Sequence, residues 1–280
     1  MGATVSAKPL AGHAVFLSAS VPSPDRAEKY RLIPDAFARI EEAVLRVAGA
    51  VFHAGGTLVF GGHPSISPLI GYLCAQYQPQ LAAEGEPPQG RRDEREPAGP
   101  RVVMWQSEAY LDSWAEPSER LATMPGVSVN WTPAVNGERY DPELRGVPQC
   151  EESLKLMRRK MIDSTQPVAM VAIGGMEGVE MELAIFQELR HGRPVYVLTS
   201  TGGAAAVLAA DKPNQVRSFD DEVRANVAEF RRRVREQQME DRQDAGIAVP
   251  FPEEEEIAIP YAAVAARIVE DIQRSLKERR

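Results

Sequence analysis

Apolar positions along the chain fall into two signatures: short continuous runs, and longer stretches where they recur every three or four residues. The first run, Ala14 to Ala19 (AVFLSA), predicts a strand, and the Ser- and Pro-rich SASVPSPD ends it. Phe37, Ile40, Val44, Val47 and Val51 then make one helical stripe. Pro34 stands at its opening and Gly55 and Gly56 at its close. Thr57 to Phe60 predicts a second strand, which runs straight into the glycine turn and helix of GGHPSISPLIGYL. Arg101 to Trp105 and Val127 to Trp131 predict two further strands, separated by a weakly helical stretch that Pro117 and Pro125 break. The segment from Thr132 to Val147 is loop, with Asn136-Gly137 and Asp141-Pro142 as turn signals. Glu151 to Asp163 is a helix with Leu154, Met157 and Met161 on its seam. Val168 to Ile173 is a β-branched buried strand; Gly174, Gly175 and Gly178 follow, then Val179, Leu183 and Phe186 at helical spacing. After a strand at Val195 to Leu198, the segment Thr199 to Asn214 reads as small and flexible. Two helices end the chain. Phe219 to Arg242 carries a narrow stripe of Val223, Val227, Phe230 and Val234; Tyr261 to Lys277 carries Val264, Ile268, Ile272 and Leu276.

Strands alternating with helices predict an α/β fold: a Rossmann-like, three-layer parallel sheet with helices on both faces, plus a C-terminal helical extension. The expected organisation is a domain over residues 1–200 and a helical extension over 201–280 that packs on the domain or on a partner. Within the domain, 79–100 is rich in Pro, Gly and charge and reads as a mobile surface loop; its Arg91, Arg92 and Arg95 are interleaved with acids. Pro250 to Glu256 is an acidic link. Ligands of such sheets bind at the carboxyl ends of the strands, where the loops after Leu17, Phe60 and Ile173 converge.

Those loops hold the candidate chemistry. Ser18 and Ser20 suit either a ligand loop or an ordinary turn. Gly61 and Gly62 allow close backbone approach, Ser65 or Ser67 can cap a helix or bind phosphate, and His63 is either a ligand group or structural. Strand, Gly174-Gly175 turn, Gly178 and helix N-terminus together form a ready-made anion site, because first-turn N–H groups and the helix dipole favour negative charge. Glu182 lies on the apolar stripe between Val179 and Phe186, where an unpaired carboxylate is costly; it is expected to face a site. Arg158, Arg159 and Lys160 are either a solvated basic face or guanidinium groups aimed at a phosphate.

Composition narrows the picture further. The net charge of −8 argues against a general nucleic-acid binder. His13, His53, His63 and His191 show no metal-ligand spacing, so no metal is expected, nor any cofactor. Cys74 and Cys150 stand far apart and read as thiols in a reducing compartment. No run approaches the roughly 18 apolar residues of a membrane helix, and the start lacks the apolar core of a signal peptide. Gly2 and Ser6 match the short N-myristoylation spacing. The expectation is a cytoplasmic protein.

Taken in order, LVFGG (Leu58 to Gly62), MRRK (Met157 to Lys160) and AIGGMEGVEME (Ala172 to Glu182) resemble the LOG, or "lysine decarboxylase-like", branch of the SLOG superfamily. That branch carries an LVYGGG-type loop, an Arg-Lys pair on a helix and a PGGxGTxxE motif; the resemblance spans Ala14 to Thr199. It implies a Rossmann-like fold that binds a nucleotide-derived ligand and self-associates. It also implies that Arg159 and Glu182 match the pair serving N-glycosidic cleavage of nucleoside 5′-monophosphates. Glu182 would activate water or stabilise an oxocarbenium ion, and Arg159 would orient ribose or phosphate. Ile173 replaces the motif proline, one extra residue separates the glycines, and Val179 replaces the threonine; Glu177 and Glu180 add negative charge. These departures favour binding of a nucleotide or ADP-ribose-like ligand, as in a nucleotide sensor, over turnover. A third alternative is DNA processing, as in the SMF branch.

Overall fold

The computed structural model describes residues 8–23, 28–30, 33–83, 101–144, 149–244 and 258–279. The Gly2–Ser6 motif, the acidic link at 250–256 and residues 84–100 of the expected loop at 79–100, with Arg91, Arg92 and Arg95, lie outside them; residues 79–83 of that expected loop are instead the last turn of a helix. The strands are β1 (Ala14–Ser20), β2 (Thr57–Phe60), β3 (Arg101–Ser107), β4 (Val127–Thr132), β5 (Ala169–Gly174) and β6 (Val195–Leu198). Every pairing is parallel, in the order β4-β3-β2-β1-β5-β6. The helices are α1 (Ala36–His53), α2 (Ser67–Ala83), α3 (Glu116–Ala122), α4 (Glu151–Thr165), α5 (Glu177–Leu189), α6 (Gly203–Asp211), α7 (Asp220–Asp244) and α8 (Tyr261–Lys277).

The alternation of side chains along β1 sorts the core into two layers. Val15 and Leu17 face one cluster with Ile40, Val44 and Val47 of α1, Ile70 of α2, and Val264 and Ile268 of α8. Phe16 faces the other, with Met157 and Met161 of α4, Leu183 and Phe186 of α5, and Ala204 and Leu208 of α6. Both faces of the sheet are thus covered, which explains why its central strands read as continuous apolar runs. Phe16 stacks on Phe186 at 6.4 Å, joining sheet to α5. The chain winds outward from β1 to β4 and then crosses back to lay β5 on the other side of β1. This reversal opens a crevice beyond the carboxyl ends of the central strands.

Three more local expectations are corrected, and the position of α8 is then defined. Phe37 is exposed, at the outer edge of the α1 stripe. Pro117 occupies the first turn of α3 and so starts that helix, where its missing N–H has no partner to lose. The segment after Leu198 is a packed helix: α6 buries Ala204, Ala205 and Leu208. Small side chains there reflect close approach to the sheet. Finally, α8 spends its apolar face on α1 in the main core, and Tyr196 of β6 donates a buried 2.9 Å hydrogen bond to its Asp271. Only α7, of the two C-terminal helices, shows large apolar side chains to solvent: Phe230, Val234 and Met239. Among the described residues no helix is long and apolar enough to cross a membrane.

Candidate functional site

The register of β1 against β5 sets Ser18 beside Ala172 and Ser20 beside Gly174. Ser18 is buried, and its hydroxyl donates to Glu182 Oε2 at 2.5 Å. The other carboxylate oxygen accepts from Arg158 Nε at 3.3 Å. The Arg158 and Glu182 side chains are each 13% exposed, so solvent screens the pair weakly. Gly178, one turn before Glu182, makes room for this arginine: a Cβ there would lie 3.1 Å from Arg158 Nη2. A carboxylate on an apolar stripe is therefore tolerated because a serine and a guanidinium reach it from two other elements.

The two glycine turns differ in use. After β2, Gly62 has φ +60°, and a Cβ would meet Gln106 Nε2 at 2.3 Å. Gln106 donates to Gly62 O at 3.1 Å, and so does Ser118 Oγ at 2.9 Å. The carbonyls are thereby fixed while Gly61 and Gly62 form cavity wall. After β5, the turn is consumed by packing. Gly174 N donates to Thr201 Oγ1 at 2.9 Å and Gly175 N to Ser20 O at 2.8 Å, while Gly175 O accepts from Ala204 N of α6 at 2.9 Å. Gly174 and Gly175 therefore do not line the cavity as phosphate cradles; they allow β1, β5 and α6 to meet. The donors this turn leaves for a ligand are the uncapped first-turn N–H groups of α5, at Glu177 and Gly178.

These elements enclose a cavity of about 680 Å³, within the range of small-molecule sites. Its wall includes Ser20, Gly178, Glu182 and Arg158, the apolar side chains of Leu17, Phe60 and Met157, and the polar and aromatic groups of Gln106, Tyr110, Trp114 and Tyr140. His63 stands on the rim. Its Nδ1 accepts from Ser65 N at 3.2 Å and lies 2.8 Å from Ser65 Oγ. Crowding by the surrounding loops pushes its pKa down, and its open outer edge limits that shift, so the ring is neutral at pH 7. Among the described lining residues Arg158 is the one cation, against the carboxylates of Glu151, Glu177 and Glu182.

Of the residues expected from sequence, Ser20, Gly61, Gly62, His63, Gly178 and Glu182 line the cavity. Ser18 lies behind Glu182 and holds it. Ser65 links the loops instead, accepting from Val21 N at 3.4 Å. Arg159 is the clear displacement. It points along the outer surface of α4 and makes a two-pronged pair with Glu188 at 2.7 and 2.8 Å. One residue is about 100° around a helix, so the cavity-facing guanidinium is that of Arg158. The sequence left Arg158, Arg159 and Lys160 undivided; the seam of Leu154, Met157 and Met161 could have chosen Arg158, which follows Leu154 by four positions. Tyr110, Trp114, Tyr140 and Gln106 were missed, because they lie in a weakly helical stretch, a loop and a strand end with no motif. Among the described residues no group of three or more His, Cys, Asp or Glu is placed to hold a metal ion.

A model of the SLOG cluster3 family matches residues 93–234, just over half of the chain. The match begins after the first glycine turn and runs through α6 into α7, beyond the span of the sequence resemblance. No curated protein matches the chain. The solved structures similar to this chain include two that align with it over about three quarters of its length. One, titled TM1055 and a target of the Northeast Structural Genomics Consortium, is 14% identical and aligns over 74% of this chain and 91% of its own, with TM-score 0.41. The other is DNA processing protein A from Helicobacter pylori, titled for its single-stranded DNA binding mode: 12% identical, 76% of each chain, TM-score 0.40.

Proposed function

We propose, from the premise that this chain belongs to the SLOG cluster3 family, that it binds a nucleotide or ADP-ribose-like ligand in the cavity at the carboxyl edge of the sheet and serves as a nucleotide-signal sensor. The observation that carries this reading is that one cavity joins the glycine turn after β2, the end of β1 and the uncapped start of α5. Hydrogen-bond donors for a ribose phosphate and apolar side chains for the rest of the ligand thereby share one cavity. Titration calorimetry of the full chain against nucleoside monophosphates and ADP-ribose derivatives tests it. Saturable binding of at least one is expected; a folded protein that binds none sinks the reading.

A second reading is N-glycosidic hydrolysis. It is favoured by the placement of the Glu182 carboxylate in the cavity wall between Ser18 and Arg158. Glu182 would then stabilise the developing oxocarbenium ion, with Arg158 rather than Arg159 beside it. Free base released from a nucleoside monophosphate, and lost in Glu182→Gln, is the expected result; release that survives the substitution refutes it. Self-association would use the exposed Phe230, Val234 and Met239 of α7. Phe230→Glu should then reduce the mass seen by light scattering, and an unchanged mass would exclude that face.

A further inference from the structure

Part of the cavity wall is built of aromatic rings that other contacts hold in place. Tyr110 and Tyr140 stack at 4.8 Å with 22° between their planes. Their segments are clamped by Tyr140 N donating to Ala109 O at 2.8 Å and by the Arg139–Asp112 ion pair. Trp114 is set edge-on against Trp131 at 4.9 Å, so its ring too is fixed before any ligand arrives. Tyr110, Trp114 and Tyr140 are each only partly buried and contribute to the cavity wall. Burial pushes the Tyr110 phenol up to about 12, so this ring stays uncharged at neutral pH. Gln106 adds one directional group. Its amide nitrogen is spent on Gly61 O at 3.4 Å and Gly62 O at 3.1 Å. That orientation leaves the amide oxygen as its remaining hydrogen-bonding atom, an acceptor.

A wall of fixed aromatic rings beside one oriented acceptor suits a flat ring that carries an N–H₂ group. Stacking uses the face of such a ring and is tolerant of its identity; the acceptor reads its edge. We propose that this aromatic wall of the cavity is a stacking subsite for a planar base bearing an exocyclic amino group, with the Gln106 amide oxygen accepting from that group. The assignment rests on the nucleotide-binding reading above and adds where the base lies and which bases are preferred. The sugar is then directed toward Ser20, Arg158 and Glu182.

Calorimetry of the full chain with adenosine, inosine, cytidine, uridine and ribose tests it without any variant. Adenosine or cytidine should bind at least about tenfold tighter than its oxo counterpart, because inosine and uridine set a carbonyl against the Gln106 oxygen. Ribose should show no saturable binding. Tyr140→Leu, checked for wild-type melting, should weaken the preferred nucleoside by roughly 5- to 150-fold. Trp114→Phe should abolish the quenching of tryptophan fluorescence by that nucleoside. Equal binding of amino and oxo partners overturns the role of Gln106. Ribose binding as tightly as the nucleosides, or no effect of Tyr140→Leu, overturns the subsite while leaving nucleotide binding intact. No binding of any nucleoside or nucleotide overturns both readings together.

Discussion

Arg158 and Arg159 are neighbours in sequence with opposite surroundings, and replacing each by alanine separates the site from the surface. Arg158→Ala leaves the Glu182 carboxylate, 13% exposed, without its cation. Breaking a fully buried pair costs about 3–5 kcal/mol. Here some exposure remains and Ser18 still donates to Oε2, so about 2 kcal/mol is the reasoned loss. For a chain of this size that corresponds to a fall in Tm of roughly 4–8 °C. Arg159 pairs with Glu188 in the open, where such pairs contribute little. Arg159→Ala should therefore melt with the wild type. Pairing Arg158→Met with Glu182→Gln should restore part of the loss, since no charge is then left uncompensated. Ligand affinity should fall at least ~10-fold in Arg158→Ala, about 1.4 kcal/mol, and stay put in Arg159→Ala. Scanning calorimetry and ligand titration on the wild type and the three variants decide it. If Arg159→Ala is the more damaging substitution by either measure, the orientation of α4 argued above is wrong.

Other consequences can be checked by equilibrium denaturation. Gly62→Ala forces a Cβ to 2.3 Å from Gln106 Nε2 at a positive φ, whereas Gly137→Ala, at φ +71°, meets open space. Gly137→Ala should cost only the backbone strain of about 1 kcal/mol, Gly62→Ala clearly more, and equal losses would show that the loop after β2 yields freely. Ile268→Ala should cost about 2–5 kcal/mol in one cooperative transition, because α8 is part of the main core; a separate early transition would mark the C-terminal helices as an independent unit. Asp220 is buried with Oδ1 unpartnered, and desolvation raises its pKa above 3.8 despite the donors of Ser200 and Thr199. A folded-state pKa above the unfolded value stabilises most below that unfolded value and less as pH rises through the folded one. The stability gap between wild type and Asp220→Asn should thus be larger in the wild type's favour at pH 4 than at pH 8; a pH-independent gap refutes it.

Periodicity made most of the fold legible. Thr57 to Phe60 and Tyr261 to Lys277 have the bounds their patterns predicted, because a strand buried on both faces concentrates apolar residues into a short run and a helix packed on one side repeats them every three or four positions. It failed where side-chain size, not polarity, carried the signal. In α6 the run of alanines has no polar face to betray a helix, and its close packing on the β5 turn is what selects small residues. The site was half legible for a related reason. Glu182, Gly61 and Gly62 break the local pattern and could be found by that break. Tyr110, Trp114 and Tyr140 are ordinary residues for a loop; only the path of the chain from β3 to α4 brings them to one wall.

That contrast also explains the altered glycine motif. Gly175 is packed against Val179, whose Cγ2 would lie 2.2 Å from a Cβ at that position. Val179 is buried, so the residue that replaces the motif threonine serves the core instead of offering a hydroxyl to a ligand. The N–H groups of Gly174 and Gly175 are satisfied by Thr201 and Ser20, and the carbonyl of Gly175 by α6. The turn has therefore exchanged anion-binding donors for a junction among β1, β5 and α6. Its extra residue sets Met176 in an extended conformation ahead of α5, so the free first-turn donors sit at Glu177 and Gly178. A ligand held there meets Glu177 and Glu182 together, a poor environment for concentrated negative charge. Under the proposed nucleotide-binding reading, recognition in this cavity would rest more on the ring and sugar of the ligand than on its phosphates. Under the same reading, the sequence departures that lowered the case for turnover would also move the burden of binding toward the aromatic wall.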